Sequence, residues 1–253
     1  MADPVILTSG FGTTDGTTFT TAQFTPSANK MLMLGLLGSA PSGGTTAPPS
    51  LSVDAGQTWD LTRQTPDPAA IRTAYAFRTF TGSSPAPRTL TLTFPTTVAS
   101  VAWAVYEIDN VDVANPTVQS IEQRLTGNSN TSVNFSFTNP VDPANTVIAF
   151  VGIAQSVDIV PGTGWTAGAP TVKATSPANT LLPMHGAGLQ NVLASWSTTT
   201  NTWVIAVEVK SAPGTPTGKL QKLKIGSADI DLVKVIGGAD ATKFYMGADQ
   251  VWP

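Results

Sequence analysis

Apolar and polar residues along this chain alternate at a period of two, and the alternation recurs from the first twenty residues to the last. Arg72-Thr73-Ala74-Tyr75-Ala76-Phe77-Arg78 and Arg88-Thr89-Leu90-Thr91-Leu92-Thr93-Phe94 alternate residue by residue, which predicts half-buried β-strands. Thr17 to Phe24 is a threonine-rich run with widely spaced aromatics, and Lys30 to Leu37 is apolar on both faces, as a central strand must be. Val101–Ile108, Ser132–Phe137, Thr146–Ile153, Val192–Ser197 and Trp203–Val209 continue the series. Turn signals separate them: Pro-Ser-Gly-Gly at 41–44, Ser-Pro-Ala-Pro at 84–87, Gly-Asn-Ser-Asn at 127–130 and Pro-Gly-Thr-Gly at 161–164. No segment of twelve or more residues keeps a helical period with caps at its ends. The pattern predicts an all-β fold, an antiparallel β-sandwich of jelly-roll type, with a closed barrel as the alternative.

The pattern changes near the C-terminus. Ser211-Ala212-Pro213-Gly214-Thr215-Pro216-Thr217-Gly218 carries two prolines, two glycines and no large apolar residue, and reads as a linker. It divides a body, residues 1–210, from a C-terminal element, residues 219–253. That element repeats itself: Ile225-Gly226-Ser227-Ala228-Asp229, Ile236-Gly237-Gly238-Ala239-Asp240 and Met246-Gly247-Ala248-Asp249, the last running into Gln250-Val251-Trp252-Pro253. Glycine supplies the positive φ of a tight turn and aspartate tolerates it, so the repeat predicts a small meander of short strands. Such a strip is too small to hold itself together and needs a partner surface. Ile225, Gly226, Ile236, Gly237, Phe244, Tyr245, Met246, Gly247, Val251 and Trp252 are the candidate docking residues. Trp252, one residue from the end, invites burial against a partner, because a free terminus frays.

Composition narrows the function classes. Charged residues make up 11% of the chain, against about 25% in an average domain. Threonine, serine, alanine, glycine and proline take their place, giving a surface suited to packing against other protein copies or neutral sugars. A net charge of -3 speaks against a phosphate-tracking groove, so nucleic acid is not an expected partner. Six of the eight lysines lie in the last 44 residues, where they protect strand edges from wrong pairing or meet an acidic partner. With no cysteine there is no disulfide and no thiolate ligand. The first residues show no basic, apolar leader pattern, and no membrane span is expected.

Few residues carry chemistry. His185, the only histidine, stands in Leu182-Pro183-Met184-His185-Gly186 without a Gly-x-Ser-x-Gly elbow, and reads as a loop or strand-end residue. Glu107 and Glu208 each interrupt an apolar strand pattern; a glycosidase would need two such acids facing one cleft, whereas lone acids on strands usually face solvent. Glu107-Ile108-Asp109-Asn110-Val111-Asp112 offers oxygen ligands for Ca²⁺ without an EF-hand spacing, and Asx turns at a strand exit are the plainer reading. Gly10-Phe11-Gly12-Thr13-Thr14-Asp15-Gly16 has the glycines of a phosphate loop but no helix after them. Trp59, Trp165 and Trp196 are candidates for stacking on a sugar ring, or for closing the ends of the sandwich. No catalytic residue, cofactor or metal is expected, and the chain is read as a non-enzyme.

The C-terminal residues Lys224-Ile225-Gly226-Ser227 and Lys243-Phe244-Tyr245-Met246-Gly247-Ala248-Asp249-Gln250-Val251-Trp252-Pro253 resemble the terminal strip of minor tail and other virion structural proteins of tailed bacteriophages. The body is more loosely similar to sandwich domains of such proteins, through Ala99 to Ile108, Asn110-Val111-Asp112, Pro116 to Ser120, Gly162-Thr163-Gly164-Trp165 and Trp203 to Val209. Similar sandwiches occur in extracellular adhesive proteins. The unit Ile236 to Asp240 is additional to the usual strip. The resemblance implies a non-enzymatic virion component, in first place a minor tail or tail-tip protein, partnered by other virion proteins and copies of itself. A capsid decoration protein is the structural alternative. A carbohydrate-binding module for a host surface glycan is the alternative from another class. All three imply residence in the virion, assembled in the host cytoplasm and exposed outside the cell.

Overall fold

In the computed structural model, residues 3–42, 46–53, 57–67, 71–169 and 171–213 are described, together with the strands 222–225, 228–231, 244–246 and 249–251. The fold is all-β with antiparallel pairing throughout, a layered sandwich as the alternation requires. The chain divides into two compact units, Met1–Ala212 and Pro213–Pro253.

The first half of the body supplies β1 (Val5–Gly12), β2 (Gly16–Thr20), β3 (Met31–Ser39), β4 (Ser50–Val53), β5 (Asp60–Asp67), β6 (Arg72–Phe80), β7 (Leu90–Val98) and β8 (Ser100–Ile108). Five of them form one sheet in the order β1-β8-β3-β6-β5, and three form a second, β2-β7-β4. Between these sheets lies a core built on Leu32, Leu34, Leu36, Tyr75, Phe77, Leu90, Leu92, Phe94, Val101, Trp103 and Val105.

The second half supplies β9 (Thr117–Ser136), β10 (Thr146–Ile153), β11 (Val160–Pro161), β12 (Thr166–Ala167), β13 (Val172–Thr175), β14 (Ala178–Ala187) and β15 (Asn191–Val209). Its two longest strands, β9 and β15, pair with each other, with register shifts between Ser195 and Thr200 and between Thr200 and Thr202. Bulges bend a strand. Each long strand thereby serves two layers: residues 202–209 of β15 pair with β10, while 194–195 pair with β11. The layers close over a core of Val133, Val147, Val151, Ile153, Leu182, Met184, Val192, Trp196, Val204 and Ala206.

A third core joins the halves. Met31, Met33, Leu37, Ala74, Ala76, Ala102, Ala104 and Tyr106 from the first half meet Ile148, Phe150, Leu181, Trp203, Ile205 and Val207 from the second. β3 and β10 are therefore buried along their whole length on both faces, which explains their unbroken apolar sequences.

Several features depart from the sequence reading, among them the turn expected at 127–130, which lies inside β9. β6, expected to be half-buried, is covered on both sides, with Tyr75 and Phe77 in one core and Ala74 and Ala76 in another. Its alternation is of large with small rather than apolar with polar, and the alanines make room for the facing sheet. Ser197 and Trp203, read as the end of one strand and the start of the next, belong to the single bent strand β15. The alternation does not predict β14, because Pro183 and Gly186 interrupt its pattern. The Pro183 carbonyl accepts from the Gly168 N–H, so its missing N–H faces the side where β12 and β13 are broken, and no ladder bond is lost.

The second unit contains β16 (Lys222–Ile225) paired with β17 (Ala228–Asp231), and β18 (Phe244–Met246) paired with β19 (Asp249–Val251).

Candidate functional site

The C-terminal unit carries the glycine repeat, and its described strands form two short hairpins. In the first, Ile225 is opposite Ala228; in the second, Met246 is opposite Asp249. Both hairpins thus leave two residues for the connection, and in both the first of the two is glycine. Ile225, Phe244, Tyr245, Met246 and Val251 lie on these strands. Gly226, Ile236, Gly237, Gly247 and Trp252 lie outside the described residues. With four and three residues per strand, each hairpin is below the size that is stable alone in water.

Trp165 and Trp196 are 7% and 6% exposed and belong to the core of the second half. Each indole N–H donates to a backbone carbonyl at 2.9 Å, Trp165 to Asn191 and Trp196 to Asn130. The rings are thereby held in the core of the second half with their N–H groups engaged. Trp59 is half-buried against the core of the first half. A cleft of about 630 Å³ opens beside Trp196, walled by Val157, Asp158, Val160, Lys173 and Ser195. Its two charges neutralise each other, Lys173 Nζ lying 2.8 Å from Asp158 Oδ1.

The two glutamates do not share a cleft. Glu107 sits on β8 among residues facing the first-half core, and Glu208 on β15 among residues facing the second-half core. Their strands meet the central core through the opposite faces, Tyr106 and Ile108 on one side and Val207 and Val209 on the other. The two carboxylates therefore project away from each other. Glu208 is 1% exposed and does not face solvent. It accepts from Asn145 Nδ2 at 2.7 Å, Gln119 Nε2 at 2.8 Å and the Asp142 N–H at 3.1 Å. Glu107 accepts from the Ser27 N–H at 2.5 Å. Ser27 and Asp142 each precede a central strand by four residues, β3 from Met31 and β10 from Thr146. Both glutamates thus pin the loop that enters the middle of a sheet, a structural assignment that apolar surroundings in the sequence concealed.

The acidic run after β8 is occupied by lysines and backbone donors. Asp109 pairs with Lys30, and this hydrogen bond holds its carboxyl below the ordinary range. Asp112 Oδ2 lies 2.8 Å from Lys210 Nζ, and the contact lowers its pKa. Its other oxygen accepts from the Ala114 N–H at 3.0 Å and the Asn115 N–H at 3.2 Å, which is the turn-capping geometry. Among the described residues, no three of His, Asp and Glu come together as a metal-ligand set.

His185 lies near the end of β14, so of the two sequence readings the strand-end one holds and the loop one does not. It stands within β14, 7% exposed, opposite Ile148 and Thr166. Its Nδ1 is 3.4 Å from the Tyr106 hydroxyl, and the rings meet edge to face at 5.8 Å. Burial pushes its pKa below the ordinary value, against a weaker pull from Asp3, and burial pushes the Tyr106 phenol upward. The pair packs two sheets together.

No protein-family model matches the chain, and no curated protein sequence does. Among solved structures, the crystal structure of PBSX exported protein XepA is 13% identical to this chain, with 83% of this chain and 87% of that one covered and a TM-score of 0.22.

Proposed function

We propose that this chain is a non-enzymatic structural component of a tailed-phage virion, in first place a minor tail or tail-tip protein, built into the particle through its C-terminal unit. The observation that carries the reading is the pair of C-terminal hairpins with the same two-residue, glycine-led connection, each too short to be stable without a partner. Short strands of this kind associate by adding to a sheet edge or by meander packing on a neighbour. The resemblance of the terminal residues to phage virion strips gives that neighbour its setting. The body supports the same reading by its chemistry: deep apolar cores, a low-charge surface, and carboxylates committed to pinning loops and capping turns.

Immunogold labelling of intact particles with antibody raised against residues 1–210 tests this reading. Label at a fixed position on the tail is the expected result. Label confined to the head would move the protein to the decoration role, and particles free of both label and the protein's peptides would refute a virion component.

A further inference from the structure

Each half of the body has the same topology. In chain order, β1, β2, β3, β4, β5, β6, β7 and β8 correspond to the first arm of β9 (117–125), its second arm (130–136), β10, β11, β12 with β13, β14, the first arm of β15 (191–195) and its second arm (202–209). The five-strand order β1-β8-β3-β6-β5 then reappears as first β9 arm, second β15 arm, β10, β14, β12/β13. The three-strand order β2-β7-β4 reappears as second β9 arm, first β15 arm, β11. Glu107 and Glu208 occupy matching places, each next to last in the final strand and each holding the residue four before the central strand.

Most contacts between the halves exchange in the same way, β14 against β3 being the exception. β5 lies against β9 and β15, and β13 lies against β1 and β8; β6 lies against β15, and β14 against β8; β3 lies against β10. Such exchange is what a twofold pairing of like units produces. Where the halves cross, Val111 bridges to Ser211, the Asp112 N–H donates to the Lys210 carbonyl, and the Ala212 N–H donates to the Asn110 carbonyl.

We infer that residues 3–212 are a fused pair of one eight-strand module, and that the facing five-stranded sheets are a docking surface whose partner is the other module. Each module encloses its own core and has the size of an ordinary domain. The surface between them is shaped for this particular pair. A Cβ on Gly35 would lie 2.1 Å from Phe150 Cδ1, so the Phe150 ring fills the space that glycine leaves. A Cβ on Gly152 would lie 3.0 Å from Leu37 Cδ2, so the knob and hole are reversed one step along. Ala74 and Ala76 on β6, which lies against β15, share one core with Trp203, Ile205 and Val207, and Ala102 and Ala104 on β8 add small residues to the same core.

Polar groups fix the register. Asn179 of the second module is fully buried and bonds Ser39, Ser100 and Arg72 of the first. Arg63 pairs with Glu122 at 2.8 Å, and Arg124 with Asp67 at 3.2 Å, across the neighbouring edge. A buried polar set of this kind tolerates one alignment and penalises others.

The test is a full-length chain with a protease site inserted after Ala114, in the exposed segment 113–115, cleaved under native conditions and run by size exclusion and native mass spectrometry. The two fragments are expected to stay together as a single 1:1 particle with unchanged β-sheet circular dichroism. Gly35→Leu in the same background is expected to abolish co-elution while both fragments keep their β-sheet signal, and Gly35→Leu with Phe150→Ala to restore it. Fragments that unfold on cleavage would overturn the module reading. Wild-type fragments that separate while folded, Gly35→Leu fragments that still co-elute, or a double variant that fails to recover would overturn the docking surface. None of these outcomes depends on residence in a virion.

Discussion

Replacing Glu208 with alanine removes one acceptor group and strands three donors. The carboxylate is 1% exposed, and Asn145 Nδ2, Gln119 Nε2 and the Asp142 N–H all converge on it within 3.1 Å. A buried donor left unpaired costs about 1–3 kcal/mol, and loosening of the 141–145 loop lets water recover part of that. The expected loss is therefore about 3 kcal/mol, with the Asn145 amide as its largest contributor because that residue too is buried. Glu107, which holds the matching loop of the first half by one hydrogen bond near the surface, sets the internal comparison. Glu107→Ala is expected to cost about 1 kcal/mol or less. Urea unfolding followed by tryptophan fluorescence measures both. At an m-value of about 2 kcal/mol/M, Glu208→Ala lowers the midpoint by about 1–2 M, with little change for Glu107→Ala. Equal small shifts for both variants would refute the claim that Glu208 is a buried, multiply bonded anchor. A large change in m would show that the variant alters the number of cooperative units rather than one loop.

His185 gives a pH-dependent expectation. Burial holds its folded-state pKa below the unfolded value of 6.5, so the unfolded chain binds more protons between the two values. Its contribution is complete above pH 6.5 and is lost as pH falls from there through the folded pKa; His185→Gln flattens that part of the stability curve, and an unchanged slope would contradict it. Gly188, at φ 60° with Pro143 Cα 2.8 Å from the site of a Cβ, is expected to lose about 2 kcal/mol on change to alanine. Gly82, with no heavy atom within 4 Å of its Cβ site, is expected to change by less than about 0.5 kcal/mol; similar thermal shifts for the two variants would contradict the backbone assignment. Phe150→Ala in the uncleaved chain is expected to cost about 3–5 kcal/mol, read by urea midpoint, and a loss under about 1 kcal/mol would show the ring to be poorly packed.

How far the sequence discloses this arrangement depends on what each pattern has to encode. Alternation in Arg88 to Phe94 translates directly into a strand with one face buried, because that strand lies in an outer layer. The doubly apolar Met31 to Leu37 is likewise legible as a central strand. Arg72 to Phe77 misleads, since Ala74 and Ala76 read as the weak face of an amphipathic strand when they are fitted to a second core. The internal duplication is hidden for a related reason. The halves match in strand order, whereas their facing residues are complementary rather than alike: Gly35 meets Phe150, and Gly152 meets Leu37. Like residues at matching positions would be the sequence signature of a repeat, and complementary packing removes it. Glu107 and Glu208 are the surviving echo, and their shared placement before the end of an apolar strand is the signal that sequence alone contained. For the aromatic candidates, sequence identifies the residues but not their faces. Trp165 and Trp196 are core residues, and their N–H groups are met by the carbonyls of Asn191 and Asn130, which are remote in sequence.

Assembly through the C-terminal unit is the central claim, and truncation after Gly218 tests it most directly. Particles from a host making the 1–218 chain are compared with particles from one making the full chain, with the amount of body in each quantified by peptide mass spectrometry. The account predicts that the truncated chain keeps the urea midpoint of the full-length body and is absent from purified particles. Incorporation of the truncated chain at the full-length level would contradict it.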